Sequence, residues 1–182
     1  MKPVAKMVRA ELAAYIQSQL RAKGIEAVLT GGSAVSIFSG EKYVSMDLDF
    51  VIMGYPKRPK IRDAMQEIGF HQVGRHFKHP ETLWMVEFPG GPLSVGKQPV
   101  AKIDTLEYET GTLLIISPAD CIKDRLAAFY YWDDRQALAQ AIMVVQENRI
   151  NLSEIAEWSQ EEGKLAEFKK IEPLLKVVKT SE

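Results

Sequence analysis

The most constraining feature of the sequence is the stretch from Ile25 to Met53, where two short apolar runs carry polar residues at one end. The first run ends in Gly31-Gly32-Ser33. After thirteen further residues, the second run begins with Asp47-Leu48-Asp49 and continues as Phe-Val-Ile-Met. Short apolar runs bounded by small or polar residues predict two buried strands. The chemistry is therefore expected where the first strand ends and the second begins.

The two aspartates form a candidate metal site. Side chains at positions i and i+2 of a strand point to the same side, so Asp47 and Asp49 share one face. Neighbouring carboxylates repel each other unless a cation lies between them. Mg²⁺ is the cation expected here, because it is typically bound by one or two carboxylates together with substrate phosphates. The simpler alternative is a solvated strand face.

The glycines form a candidate phosphate site. Gly31 and Gly32 lack the Cβ atoms that would keep a ligand away from the backbone N–H groups. Ser33 is predicted to cap a short helix over residues 33–39, and the N-terminus of a helix binds anions. The alternative is a plain turn between a strand and a helix.

Composition narrows the class of protein. The chain has 182 residues, of which 46% are hydrophobic and 26% charged, and a net charge of -1. It is long enough for a substantial core, and contact with nucleic acid would need a local basic patch. The one cysteine, Cys121, excludes an internal disulfide and fits a reducing compartment. With no apolar run of about 20 residues and no signal peptide, we expect a cytoplasmic protein without membrane contact.

The apolar pattern predicts an α+β fold. Val4, Val8, Leu12, Ile16 and Leu20 fall on one face of a predicted N-terminal helix. Strands are predicted over residues 25–30, 46–53, 70–73, 83–88, 106–109 and 112–116, with a helix over 60–68. Further helices are predicted over residues 118–132, 134–147, 153–161 and 164–178, the last interrupted by Pro173. We therefore expect an α/β part over residues 1–116 and a helical part over 117–182.

A third acid completes a recognisable pattern. Val86-Glu87-Phe88 follows Gly32-Ser33 and Asp47-Leu48-Asp49 in chain order. This order resembles the DNA polymerase β-like nucleotidyltransferase superfamily, whose signature is a glycine followed by Gly or Ser, then an acid-apolar-acid element, then an acid on a later strand. The resemblance implies a nucleotidyltransferase-like mixed β-sheet flanked by helices and followed by a C-terminal helical part.

Residues 117–128 and 133–136 look like the helical region of small bacterial nucleotidyltransferases of the abortive-infection and toxin-antitoxin kind. In those relatives a helix lysine faces the triphosphate and an aspartate follows a little over ten residues later. Lys123 and Asp134 are the matching positions. The third acid is Glu rather than the commoner Asp, and the short C-terminal part leaves substrate recognition open.

The resemblance implies a two-metal nucleotidyl transfer. Two Mg²⁺ ions would be held by Asp47, Asp49 and Glu87. The nucleotide would be bound by Gly31, Gly32, Ser33, Lys123 and Asp134, with Lys123 neutralising the departing pyrophosphate. The reaction would move an NMP from an NTP to a hydroxyl on RNA or tRNA, a protein or a small molecule. A small antitoxin is a possible partner.

Several alternatives stay open at this stage. A non-catalytic nucleotide- or partner-binding module is the main one, and a haloacid-dehalogenase-type phosphatase is another. Lys123 is alternatively a surface lysine and Asp134 a helix N-cap. The histidines His71, His76 and His79 fit no zinc pattern and are interpreted as ordinary residues on a link between strands. The basic residues form either an RNA patch or a solvated face; they are Lys57, Arg58, Lys60, Arg62, Arg75 and Lys78.

Overall fold

A computed structural model describes residues 2–56, 58–100 and 102–176. The strands are β1 (Glu26–Thr30), β2 (Asp47–Met53), β3 (His71–Val73), β4 (His76–Lys78), β5 (Met85–Glu87), β6 (Ser94–Val95), β7 (Gln98–Pro99), β8 (Ile103–Tyr108) and β9 (Gly111–Ile116). The helices are α1 (Arg9–Ala22), α2 (Gly31–Phe38), α3 (Arg58–Glu67), α4 (Pro118–Trp132), α5 (Arg135–Glu147), α6 (Leu152–Glu161) and α7 (Leu165–Leu175). A short 3₁₀ helix, Val4–Lys6, precedes α1.

The described strands form one mixed sheet and a separate two-stranded ribbon. The sheet order is β3-β4-β5-β2-β1-β9-β8, and the ribbon pairs β6 with β7. Strand β2 lies between β1, to which it is antiparallel, and β5, to which it is parallel. The end of β1 and the whole of the short strand β5 therefore lie beside the first three residues of β2.

Helices pack against the sheet in two groups. Helix α1 contacts β1, β9 and α3, whereas α2 contacts β2, α4 and α5. Helix α4 begins where the sequence predicts, because the Ser117 hydroxyl accepts a hydrogen bond from the Asp120 N–H and Pro118 occupies the first turn. No helix in the described ranges has the length and apolarity needed to cross a lipid bilayer.

The buried apolar side chains from both halves of the chain form one continuous core. Leu12 and Phe50 from the first half join Ile122, Trp158 and Phe168 from the second. The boundary predicted between residues 116 and 117 thus lies within a shared core. The division into a catalytic part and a helical part stays a prediction.

The α+β fold with a mixed sheet and flanking helices is confirmed, and several element boundaries differ from the prediction. Val8 is extended and exposed ahead of α1, so it does not belong to the buried helical face. Helix α2 begins at Gly31 with Thr30 as its N-cap, so Ser33 does not cap it. Strand β4 and the ribbon were not predicted. Helix α7 ends at Leu175, and positions 177 and 178 of the predicted last helix lie outside the described residues.

Candidate active site

Three carboxylates meet at the centre of the sheet. Asp49 is paired with Thr30 on one neighbouring strand and with Glu87 on the other. Asp47 lies two residues earlier on the same face of β2. The parallel pairing of β2 with β5 therefore brings together three acids that are separated by up to forty positions in the sequence.

The electrostatics of this group favour a bound cation. Burial, followed by the nearby charges of Asp47 and Glu87, raises the pKa of Asp49 to about 6. Asp47 Oδ1 is buried and has no hydrogen-bond partner. A cation would relieve both costs, since it neutralises the repulsion and coordinates the free oxygen.

The donor set fits Mg²⁺ that is shared with a substrate. In residues 2–56, 58–100 and 102–176, no three His, Cys, Asp or Glu side chains already surround a single ion position. Mg²⁺ does not need such a cage, because it commonly takes one or two carboxylates and completes its shell with water and substrate phosphates. Asp47, Asp49 and Glu87 are the residues that offer these oxygens.

The two glycines are required by close contacts. Gly31 has a φ of +63°, and a Cβ atom there would lie 2.3 Å from Asp49 Oδ2. A Cβ atom on Gly32 would lie 2.8 Å from Ser45 Oγ. Because both positions are in the first turn of α2, their free N–H groups start the helix beside the acids. This arrangement is suited to an anion that bridges the helix and a cation.

Ser33 supports the metal strand through its side chain. The buried Ser33 hydroxyl donates a 2.5 Å hydrogen bond to the Asp47 carbonyl, which also accepts from Ser45 Oγ. The Ser33 hydroxyl therefore already has a hydrogen-bond partner within the protein. The predicted contact of Ser33 with phosphate would be made by its backbone N–H.

A buried arginine holds the loop that precedes Asp47. Arg9 Nη2 donates to the Ser45 carbonyl at 2.9 Å, and its Nη1 pairs with Glu41. The guanidinium carbon also lies 5.8 Å from the ring centroid of Trp84. Arg9 therefore fixes the position of Ser45, which in turn packs against Gly32.

Two cavities meet at Glu87. The smaller has a volume of about 360 Å³ and is lined by Gly31, Asp49, Glu87, Asp124 and Arg125, together with the loop over residues 89–95. The larger, of about 980 Å³, is also lined by Glu87 and is described below. Both volumes fall in the range of ligand sites.

Lys123 and Asp134 lie away from the smaller cavity. The buried Lys123 ammonium group donates to Asp120 at 3.3 Å and to Glu154 at 2.6 Å. Asp134 is exposed and caps α5 by accepting a hydrogen bond from the Ala137 N–H. Asp134 is thus the N-cap of α5, the alternative that the sequence offered. The nucleotide contacts of Lys123 and Asp134 stay predictions.

Arg125 is the cation that the cavity contains. Residues two apart on a helix lie on nearly opposite sides, so the packing that turns Lys123 towards α6 turns Arg125 towards the acids. Arg125 Nε donates to Asp124 at 3.1 Å and its Nη1 to Gln140 at 3.2 Å. These bonds hold a guanidinium group beside Asp49.

His76, interpreted from the sequence as an ordinary residue on a link, and Arg75, named there in a basic patch, also lie beside the acids. His76 is paired with Glu87 across β4 and β5, and its Nε2 lies 3.3 Å from Glu87 Oε2 and 3.9 Å from Asp47 Oδ1. Arg75 Nε lies 3.4 Å from Glu87 Oε1. The polar-apolar-polar order of His76-Phe77-Lys78 was the available signal, but three residues are too few to establish a strand period.

Comparisons with known proteins agree with this fold. No protein-family model matches the chain, and a search of curated proteins finds no significant match. Among solved structures, the chain is similar to an antigenic nucleotidyltransferase-like protein from Paracoccidioides brasiliensis. The two are 15% identical, the TM-score is 0.59, and the match covers 93% of each chain.

Two structures of the antibiotic-resistance factor ANT(2'')-Ia are less similar to this chain. The solution structure is 13% identical with a TM-score of 0.47, and the match covers 88% of this chain and 91% of that one. The crystal structure with adenylyl-2''-tobramycin is 14% identical with a TM-score of 0.49, covering 86% and 94%. From the first of the three neighbours we conclude that this chain has a nucleotidyltransferase-like fold.

Proposed function

We propose that this protein is a magnesium-dependent nucleotidyltransferase that transfers an NMP from an NTP to a hydroxyl acceptor. The observation that carries the proposal is the pairing of Asp49 with Glu87 on adjacent parallel strands, with Asp47 on the same face and Gly31 against Asp49. A binding module has no evident need for three converging carboxylates, one of which is costly to ionise because of burial and its two acidic neighbours.

The chain's own residues supply most of the chemistry. The first N–H groups of α2 bind the phosphates of the NTP, and Arg125 neutralises charge on the departing pyrophosphate. The acceptor oxygen attacks the α-phosphorus, the bond from that phosphorus to the oxygen bridging to the β-phosphate breaks, and Glu87 accepts the hydroxyl proton. Asp47, Asp49 and Glu87 would hold Mg²⁺, which stabilises charge on the attacking and leaving oxygens.

The two cavities divide the substrates between them. The cavity that contains Gly31, Asp49 and Arg125 takes the NTP, and the larger one takes the acceptor. Glu87, which lines both, stands where the acceptor hydroxyl must meet the α-phosphate. Glu87 can therefore contact both substrates without moving.

The experiment is transfer of label from each of the four α-labelled NTPs in Mg²⁺, with total RNA, with total protein and without acceptor. Asp47→Asn, Asp49→Asn and Glu87→Gln are each expected to lose at least about 100-fold in rate. Glu109→Gln, which alters an exposed acid in the β8–β9 turn, is the matched control and should keep full activity.

Other outcomes have distinct meanings. Mg²⁺-dependent NTP binding without transfer to any acceptor would favour the non-catalytic binding module. Equal transfer by the wild type and all three acid variants would contradict the assigned site. A toxin-antitoxin role and a cytoplasmic location stay predictions that rest on the sequence alone.

A further inference from the structure

The larger cavity is a groove with an unusual set of side chains. We call it the arginine groove and define it by Ile52–Pro56, Arg58, Ile61, Arg62, Gln72, Gly74, Arg75, Phe77 and residues 87–93. Its volume of about 980 Å³ is more than twice that of the cavity over Asp49. We therefore expect the occupant of this groove to be larger than the part of an NTP that fits into the cavity over Asp49.

The described lining of the groove carries an excess of positive charge. It contains the three arginines Arg58, Arg62 and Arg75 and a single acid, Glu87. Arg62 has Asp63 beside it at 3.6 Å, a pair in which both side chains are at least half exposed and which water therefore screens. Lys57, the other basic residue predicted for this patch, lies outside the described residues. A positive groove attracts an anionic acceptor and repels a polycationic one.

An aromatic side chain stands free at the same place. Tyr55 is fully exposed, and it belongs to the groove lining between β2 and α3. A ring that no neighbouring side chain covers has its face available to stack on a planar ligand. Arginines together with an open aromatic ring are the combination that binds phosphodiesters and stacks on bases in single-stranded nucleic acids.

The position of Arg75 links this charge to the reacting centre. Its Nε lies 3.4 Å from Glu87 Oε1, so a cation stands next to the group that would accept the acceptor's proton. In the 3′ end of a nucleic acid, the terminal hydroxyl and the nearest phosphodiester belong to one nucleotide. Such an end can place its hydroxyl at Glu87 while its phosphate reaches Arg75.

We infer that the arginine groove binds the single-stranded 3′ end of a nucleic acid, whose terminal hydroxyl is the acceptor. Arg58, Arg62 and Arg75 contact its phosphates and Tyr55 stacks on one of its bases. This assignment of the acceptor rests on the proposed nucleotidyl transfer, but the binding it requires can be measured without any transfer. An acidic peptide is the competing occupant.

The experiment measures fluorescence anisotropy of a labelled single-stranded RNA oligonucleotide, and of the same sequence as DNA, without NTP. The protein is Asp47→Asn/Asp49→Asn, in which no transfer can occur, with and without Arg58→Gln/Arg62→Gln. Removing two phosphate contacts should weaken binding about tenfold or more, and should reduce the slope of log K against log salt by about 1.4. Tyr55→Ala should also weaken binding, by roughly fivefold or more, with the slope unchanged.

Lys169→Gln/Lys170→Gln is the matched control, because it removes the same charge from exposed positions of α7. It should bind like the parent. The inference is overturned if the parent does not bind either oligonucleotide, if the groove variant binds equally well, or if polyglutamate displaces the RNA as well as unlabelled RNA does. RNA and DNA arms identify which chain is preferred.

Failure of this inference can be distinguished from failure of the proposed function. Oligonucleotide binding through the groove without any label transfer by the wild type would contradict the proposed transferase activity and support the groove as a nucleic-acid site. If label transfer is unchanged in Arg58→Gln/Arg62→Gln, the proposed transferase activity is supported and the groove is not the acceptor site.

Discussion

Gly31 and Asp49 are in contact so close that a side chain at residue 31 would displace the Asp49 carboxylate. A Cβ atom on Gly31 would lie 2.3 Å from Asp49 Oδ2 and 3.1 Å from its carboxyl carbon. The first turn of α2 is thus seated directly on a carboxylate. This contact brings a set of backbone N–H groups and a candidate metal ligand to one point, and the geometry of the site depends on it.

Gly31→Ala is therefore expected to abolish transfer while the protein still folds. Its cost has two parts: the left-handed φ of +63°, worth about 1–2 kcal/mol, and the clash that displaces Asp49. Gly40→Ala provides the control, since Gly40 also has a φ of +63° but no atom within 4 Å of the added carbon. The measurement is thermal unfolding together with the transfer rate.

The two alanine variants should lose similar stability from the backbone, whereas only Gly31→Ala should lose at least about 100-fold in rate. If Gly40→Ala lowers the rate as much, backbone strain rather than displacement of Asp49 is responsible. Full activity of Gly31→Ala would show that the contact has no functional role.

Asp49→Asn is expected to stabilise the protein at neutral pH in the absence of divalent metal. The folded pKa of about 6 lies above the value of about 3.9 for an unfolded aspartate, so the charged form is disfavoured in the fold. Below about pH 4 the cost is small, because the carboxyl is largely protonated in both states. As the pH rises from about 4 to 6 the cost grows, and above pH 6 it levels off at about 3 kcal/mol as an upper figure.

Thermal unfolding with EDTA at several pH values measures this effect. The gain in Tm of Asp49→Asn over the wild type should be largest above pH 7 and should disappear near pH 4. Mg²⁺ should raise the Tm of the wild type more than that of the variant, because the cation relieves the same repulsion. A gain of equal size at both ends of the pH range would show that burial of the charge is not its cause.

The centre of the site could be predicted from the sequence because it follows local rules. Alternation in β2 places Asp47 and Asp49 on one face, and two glycines after an apolar strand indicate a close approach of the backbone. The start of α4 follows from Ser117 and Pro118, whose capping chemistry is local. Each of these inferences needs only neighbouring residues.

The periphery of the site depends on packing that the sequence does not display. Which side of α4 faces the sheet is decided by α6, whose Glu154 holds Lys123 and leaves Arg125 at the cavity. His76 reaches Glu87 because a three-residue strand pairs across the edge of β5. Val8 has the right spacing for the buried face of α1, yet the chain is extended there before the helix begins.

Arg125→Gln should mainly lower activity, whereas Lys123→Gln should mainly lower stability. Arg125 lines the cavity, so its loss should lower the transfer rate by about 100-fold with little change in fold. Lys123 is buried between Asp120 and the half-exposed Glu154, so its loss should cost about 2 kcal/mol of unfolding free energy. The properly folded fraction of Lys123→Gln should keep its rate.

Steady-state kinetics and urea unfolding of the two variants test this assignment. Arg125→Lys should recover part of the lost rate, since a positive charge returns without the planar fork of donors. If Lys123→Gln loses rate while its folded fraction is unchanged, the result would support the contact between Lys123 and the triphosphate that the sequence resemblance implies.

His76→Ala is expected to lower the rate of transfer about tenfold without weakening NTP binding. His76 Nε2 lies 3.3 Å from Glu87 Oε2, so it orients the carboxylate that would accept the acceptor's proton, and it does not line the cavity that contains Arg125. His76→Gln, which retains a hydrogen-bond donor, should recover part of the rate.

His71→Ala on the exposed strand β3 is the control and should behave like the wild type. The measurement is kcat and KM for the NTP at saturating acceptor: a rise in KM with unchanged kcat would mean that His76 acts on the nucleotide instead of on Glu87.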